Sequence, residues 1–200
     1  MTDLAGAIPA LYRRHAAVFD RNRGRNLFEK AWLDRFLADM AKPRRVLDLG
    51  CGMGEPIAAY LISMGCRITG VDTSPELLGL ARTRFPAQEW IESDMRGLDL
   101  ERHFDGILAF NSFFHLSEDD QRDMFPVFAR HAAPGAALLF TSGPDAGEAI
   151  GSFEGEPLHH ASLSPAEYAA LLDRNRFLVR RFIADDPDCQ GHSLWLAKRR

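Results

Sequence analysis

Cysteine is scarce in this chain: Cys51, Cys66 and Cys189 are the only three, and no two of them form a CxxC pair. That excludes a disulfide framework and a thiolate zinc site, and makes a reducing cytoplasm the default compartment. Long apolar runs are missing too; a membrane span needs about 20 such residues, so none is expected. The opening residues, MTDLAGAIPALYRR, lack a basic start and are interrupted by Pro9, so no signal peptide is expected. There is no cationic excess, because the net charge is −4, and this argues against a general nucleic-acid binder. Repeats, low-complexity tracts and long linkers are also lacking. The 200 residues therefore read as one α/β-sized unit without a second core.

What is present is a chain with 46% hydrophobic and 26% charged residues, ordinary for a folded domain and too apolar for disorder. From Arg45 onward, short apolar runs alternate with amphipathic stretches, the pattern of a βαβ sheet. Val46–Leu49, Arg67–Val71, Glu89–Ile91, Gly106–Phe110 and Ala137–Phe140 read as five strands. A helix opens at Glu55-Pro56, and another at Ser74-Pro75-Glu76, with serine capping and proline in the first turn. A third starts at Ser117; Pro126 should kink it and Pro134-Gly135 should stop it. Ser164-Pro165-Ala166-Glu167 is a capping box. Phe177–Ala184 and Gly191–Lys198 close the chain as a hairpin turning at Asp186-Pro187-Asp188. Before Arg45, Trp32, Leu33, Phe36 and Leu37 recur at helical spacing, which predicts a helical lid or flank.

The most informative segment is Asp48-Leu49-Gly50-Cys51-Gly52-Met53-Gly54. Glycines at a strand end let the backbone turn tightly and approach a ligand, and the following helix offers unpaired N–H groups. The spacing is GxGxG, and Glu55 stands where a dinucleotide fingerprint needs its last glycine. Asp72 ends the second strand, where an acid can accept from both ribose hydroxyls of a nucleoside. Asp94 follows the third strand, where an adenine edge would then lie.

Together, VLDLGCGMG, ITGVDTSPELLGLA, IESDM, FDGILAFNSFFHL and HAAPGAALLF resemble the successive motifs of class I S-adenosylmethionine-dependent methyltransferases of the small-molecule type. They cover roughly residues 45–140. SLSPAEYAALLDRNRF is more weakly similar to the next helix, with Asn175-Arg176 in place of the usual glycine; Asn tolerates the left-handed conformation. The resemblance implies a doubly wound, Rossmann-like, seven-stranded, mostly parallel sheet with a C-terminal antiparallel hairpin strand. Residues 1–44 would be the helical lid or flank and 45–200 the methyltransferase domain of one compact unit.

The resemblance also implies that Gly50, Gly52 and Gly54 pass beneath the cofactor's methionine and ribose. The carbonyl of Gly50, or that of Asn111, receives its ammonium. Asp72 holds the ribose, Asp94 accepts from the adenine amino group, and the Met95 N–H donates to the ring. Asp48 belongs with these or, alternatively, orders the glycine loop.

Methyl transfer is an in-line displacement that depends on holding the nucleophile close to the methyl, with a base needed only if the nucleophile arrives protonated. His115, beyond strand four, is the candidate base or donor because its unperturbed pKa lies near neutrality; the plainer reading is a packed core histidine. Phe114 is a candidate aromatic contact. His159-His160, expected in a loop, offer one substrate contact, assigned to His160. Tyr12, His15 and Phe19 share a helical face and suggest a lid over the cofactor, with Tyr12 and His15 touching substrate.

Ten basic residues stand against four acidic ones between Leu11 and Arg45. Arg13, Arg14, Arg21, Arg23 and Arg25 thus suggest an anionic substrate, or the cofactor's carboxylate, as the group held; the alternative is a solvated basic face. Glu118-Asp119-Asp120 fall in a first helical turn, where they complement the dipole, so no metal is expected. The expected partner is a small soluble molecule, with neither nucleic acid nor membrane. The competing functions are an RNA or protein methyltransferase, a nicotinamide-dependent oxidoreductase (against which Glu55 argues), and a non-catalytic nucleotide-binding protein.

Overall fold

The computed structural model describes residues 3–200. Three helices come first: α1 (Leu4–Arg14), α2 (Ala16–Asn22) and α3 (Lys30–Asp39). β1 (Arg45–Leu49), α4 (Ile57–Ser63), β2 (Arg67–Asp72), α5 (Pro75–Arg84), β3 (Glu89–Glu92) and β4 (Phe104–Ala109) then alternate. A short 3-10 turn at Phe113–His115 leads to α6 (Glu118–His131) and β5 (Ala132–Ser142). After it come β6 (Gly147–Phe153), β7 (Glu156–Ser162), α7 (Pro165–Arg174), β8 (Phe177–Asp186) and β9 (His192–Arg199).

Seven strands form one sheet in the order β3-β2-β1-β4-β5-β9-β8. The first five are parallel, and β9 and β8 add antiparallel at the edge. The strand order reverses between β1 and β4. That switch point opens a crevice at the carboxyl ends of the strands, where such sheets bind ligands. β4 is buried at every residue, as expected of a strand covered on both faces. On one face α6 and α7 close over Phe113, Phe125, Phe128, Phe140, Tyr168 and Trp195. On the other, Trp32, Phe36, Leu61 and Leu78 pack beneath α3, α4 and α5. Gly106 sits where α3 crosses β4; a Cβ there would come within 2.2 Å of Met40 Sδ and 2.6 Å of the Phe36 ring.

The serine caps are where the sequence suggests: Ser74, Ser117 and Ser164 accept from the N–H groups of Leu77, Asp120 and Glu167. Other local expectations are corrected. α6 continues through Pro126 to His131, and β5 begins at once, so Pro134 and Gly135 lie inside the strand. They are tolerated because Phe104 pairs with Ala132 while Gly106 pairs with Ala137, a register shift that releases the intervening residues from the ladder.

The region after β5 is a two-stranded hairpin of β6 and β7, not a loop. Its turn residues Glu154 and Gly155 have φ of 52° and 80°, the pair of positive values a tight hairpin requires. The N-terminal helical face is also interrupted: His15 ends α1 and precedes α2.

Candidate active site

The glycine loop leaves β1 with Gly50, Gly52 and Gly54 all at positive φ (74°, 53° and 80°). The Gly50 N–H donates to the Val71 carbonyl at 2.8 Å, which ties the loop to β2. Ser112 lies so close that a Cβ on Gly50 would come within 2.2 Å of it. Its hydroxyl donates to the Leu49 carbonyl at 2.6 Å. The loop is thus pinned from both neighbouring strands.

Asp72 completes this cradle. One carboxylate oxygen accepts the Gly52 N–H at 2.8 Å and the other accepts the Ser74 N–H at 2.9 Å. Burial pushes its pKa up, and these bonds offset that only in part. Asp48, in β1, is raised to about 7, first by burial and then by the Asp72 charge.

A cavity of about 120 Å3 opens above this crevice. Gly50, Gly52, Asp72, Asp94, Met95, Asn111 and His115 line it from the sheet side, and Ile8, Pro9, Tyr12 and Phe19 cover it from α1 and α2. A smaller cavity of about 60 Å3 neighbours it at the loop, lined by Asp48, Gly52, Gly54, Arg23, Phe110 and Asn111. Asn111 borders both; it has φ of 51°, and its side-chain oxygen is buried without a hydrogen-bond partner. A buried acceptor without a partner, on a residue that borders both cavities, is suited to a donor supplied by a ligand.

Asp94 is less free than its sequence position suggests. Arg96 grips both carboxylate oxygens, at 2.6–3.1 Å, and reaches Asp120 at 3.1 Å. Burial raises the Asp94 pKa, but the pairing with Arg96 outweighs it and holds the carboxyl below the usual range.

His115 is 7% exposed and both ring nitrogens are engaged. Nδ1 lies 2.8 Å from the His159 carbonyl and therefore carries the proton; Nε2, 3.1 Å from the Tyr12 hydroxyl, accepts from it. Burial lowers the imidazole to about 4 and, with Asp72, raises Tyr12 to about 12. At neutral pH the pair is an uncharged hydrogen-bonded couple, with the Tyr12 oxygen left as an acceptor.

The structure divides the other candidates. Tyr12 lines the main cavity, whereas Phe114 and His160 line a separate one, and His160 lies in β7. His15 lines neither; its Nε2 pairs with Glu156 at 2.7 Å.

Four of the five arginines of the basic segment have partners in the structure, and Arg21 is exposed. Arg13 donates to the Thr73 carbonyl, Arg14 pairs with Glu156, Arg23 with Glu29, and Arg25 with Asp20 and Glu55. Arg13, Arg14 and Arg25 fasten the N-terminal helices to the sheet domain, whereas Arg23 pairs within the N-terminal segment and is the one of the five that borders the smaller cavity at the glycine loop. Glu156, Arg96 and the β6–β7 hairpin were not identified from sequence; only Glu154-Gly155, a positive-φ turn pair, signalled the hairpin.

Residues 46–135 match the model of a family described as a methyltransferase domain. The chain is 39% identical over 88 residues to trans-aconitate 2-methyltransferase of Paracidovorax citrulli, covering 44% of this chain and 31% of that one. It is 29% identical over 139 residues to malonyl-[acyl-carrier protein] O-methyltransferase of Enterobacter lignolyticus, covering 68% and 53%. The chain thus spans about half or less of these curated relatives. Its fold superposes on magnesium protoporphyrin IX methyltransferase from Synechocystis PCC 6803 with a TM-score of 0.75 at 16% identity, over 100% of this chain and 99% of that one.

Proposed function

We propose that this chain belongs to the class I S-adenosylmethionine-dependent methyltransferases and transfers the methyl group of S-adenosylmethionine to a small soluble molecule. One observation carries the reading: the glycine loop, Asp72 and Asn111, whose buried side-chain oxygen has no partner, line two neighbouring cavities that share Gly50, Gly52 and Asn111. S-adenosylmethionine supplies a methyl on a sulfonium, already activated for displacement. The residues present fit it. Asp72 keeps lone pairs free for ribose hydroxyls, and Met95 and Asp94 flank the place of the adenine, Asp94 steadied by Arg96. Asn111, the Gly50 carbonyl and Asp48 face the ammonium end.

Arg23, held by Glu29, is the arginine placed to meet the carboxylate. Residues 3–44 act as the lid, with Tyr12 above the reacting region, and the protein works in the reducing cytoplasm, where its three cysteines stay as thiols. No helix is long and apolar enough to cross a membrane among the described residues.

His115 serves better as the group that orients Tyr12 than as a base, because a buried neutral imidazole whose lone pair is already occupied is a poor proton acceptor. The acceptor molecule is oriented by proximity, and most of the acceleration comes from that.

Calorimetry tests the cofactor assignment. Asp72→Ala should weaken S-adenosylhomocysteine at least about tenfold, since charge-assisted hydrogen bonds contribute ~1.5–3 kcal/mol each. Arg23→Gln should weaken it too, yet leave 5′-methylthioadenosine, which lacks the amino-acid tail, unaffected. Unchanged affinities, or tighter binding of a nicotinamide dinucleotide by the wild type, would refute the assignment.

A further inference from the structure

The two cavities at the glycine loop have four lining residues in common: Phe19, Gly50, Gly52 and Asn111. Of these two cavities, Asp72 and Asp94 line only the larger, and Asp48 and Arg23 only the smaller. In the assignment above the larger takes the nucleoside and the smaller the amino-acid tail. The sulfur of S-adenosylmethionine is bonded to both of those parts, so its place is where the cavities adjoin. Two of the shared residues are glycines, which leaves Phe19 and Asn111 as the side chains at that junction.

Phe19 is held there by its neighbours. Its ring centre lies 5.2 Å from that of Tyr12 and 6.2 Å from that of Phe153, nearly perpendicular to both. A Cβ on Gly52 would come within 3.7 Å of the ring's Cε1, so the ring reaches the glycine loop. The next residue, Asp20, accepts from both terminal nitrogens of Arg84 at 2.8 and 2.7 Å, a two-pronged contact that fixes α2 against the end of α5.

The junction suits a positive charge. No lysine or arginine borders both cavities among the described residues. A charged sulfur there meets an aromatic ring and the unpartnered Asn111 oxygen, with the carboxylates of Asp72 and Asp48 to either side. Aromatic rings attract cations through their quadrupole, and a neutral thioether forfeits that attraction.

We propose that Phe19 reads the charge on the cofactor's sulfur, its ring stabilising the sulfonium of S-adenosylmethionine and contributing little to the neutral thioether of S-adenosylhomocysteine. This rests on the methyltransferase reading above. In the transfer, a lone pair of the acceptor forms the bond to the methyl carbon, the carbon–sulfur pair stays on sulfur, and sulfur becomes neutral. The ring's attraction ends with that step, so the hold on the spent cofactor is weakened by the reaction itself.

The test is calorimetric titration of the full chain with S-adenosylmethionine and with S-adenosylhomocysteine, in the wild type, Phe19→Leu and Phe19→Tyr. In Phe19→Leu the affinity for S-adenosylmethionine should fall about three- to thirtyfold, while that for S-adenosylhomocysteine changes by less than about twofold. Phe19→Tyr, which keeps a ring, should retain the wild-type ratio of the two affinities. A disturbed lid would weaken both ligands alike, because they differ by one methyl and one charge. An unchanged ratio in Phe19→Leu, or a Phe19→Tyr that behaves like the leucine variant, overturns the proposal and leaves the cofactor reading standing. If the wild type binds neither ligand, the cofactor reading fails and the proposal falls with it.

Discussion

Asp48 and Asp72 share one buried corner, and the charge of the second is part of what raises the first to about 7. A folded pKa above the ordinary carboxylate value means that Asp48 takes up a proton on folding, and this protonation is favoured below pH 7. A cation placed beside it reverses the preference. Cofactor binding should therefore release a proton below about pH 7, and affinity should rise with pH from about 5 to 7, by at most about tenfold per unit, and level off above that. Calorimetry in buffers of different ionisation enthalpy measures the release; Asp48→Asn should abolish it. A wild-type affinity flat across that range would show that Asp48 does not face the cofactor's charge.

His115 behaves oppositely. Its folded pKa of about 4 lies below the unfolded value, so the neutral form supports the fold at pH 7 and that support is lost as pH falls from about 6.5 towards 4. If His115 positions Tyr12, Tyr12→Phe and His115→Ala should lower turnover by similar factors, and the double variant should add little to either. A loss of about 10²-fold in His115→Ala alone, with Tyr12→Phe near wild type, would restore the histidine to the role of base.

At the scale of elements, sequence and structure agree wherever a local rule sufficed. Strand–glycine loop–helix, the serine caps and the closing antiparallel pair were all legible, because period, capping and turn chemistry act within a few residues. The cradle residues Gly50, Gly52, Asp72 and Asn111 were legible for the same reason: each occupies a fixed place at a strand end. The division of Tyr12 from Phe114 and His160 was not, because it depends on where a hairpin folds back from outside the main sheet. Nor were the partners of the arginines, since Arg14 and Glu156 are joined only by tertiary packing.

The hairpin is anchored from below by Gln121, which is fully buried. It donates to the carbonyls of Leu116 and Ala161 and accepts from the Tyr168 hydroxyl. Gln121→Ala strands several buried polar groups at once and should cost about 2–3 kcal/mol in urea unfolding. A loss below about 0.5 kcal/mol would mean that water replaces the amide.

At the scale of the whole molecule, the N-terminal helices are held down on two sides of the main cavity. Arg13 reaches the Thr73 carbonyl beside β2, and Arg14 and His15 share Glu156 at the start of β7. Exposed ion pairs of this kind contribute little to stability, typically ~0–1 kcal/mol each, and are weakened by salt. If the cofactor enters beneath α1, they have to break first. A fastening present to the same degree in free and occupied protein leaves the equilibrium alone and governs the traffic. In stopped flow, Glu156→Gln should speed both capture and escape of S-adenosylhomocysteine by similar factors, with Kd nearly constant, and raised ionic strength should do the same to the wild type. A change confined to Kd would make Glu156 part of the binding surface. With both rates changed and Kd constant, two weak surface pairs act as a clock, setting how long each spent cofactor stays before the next can enter.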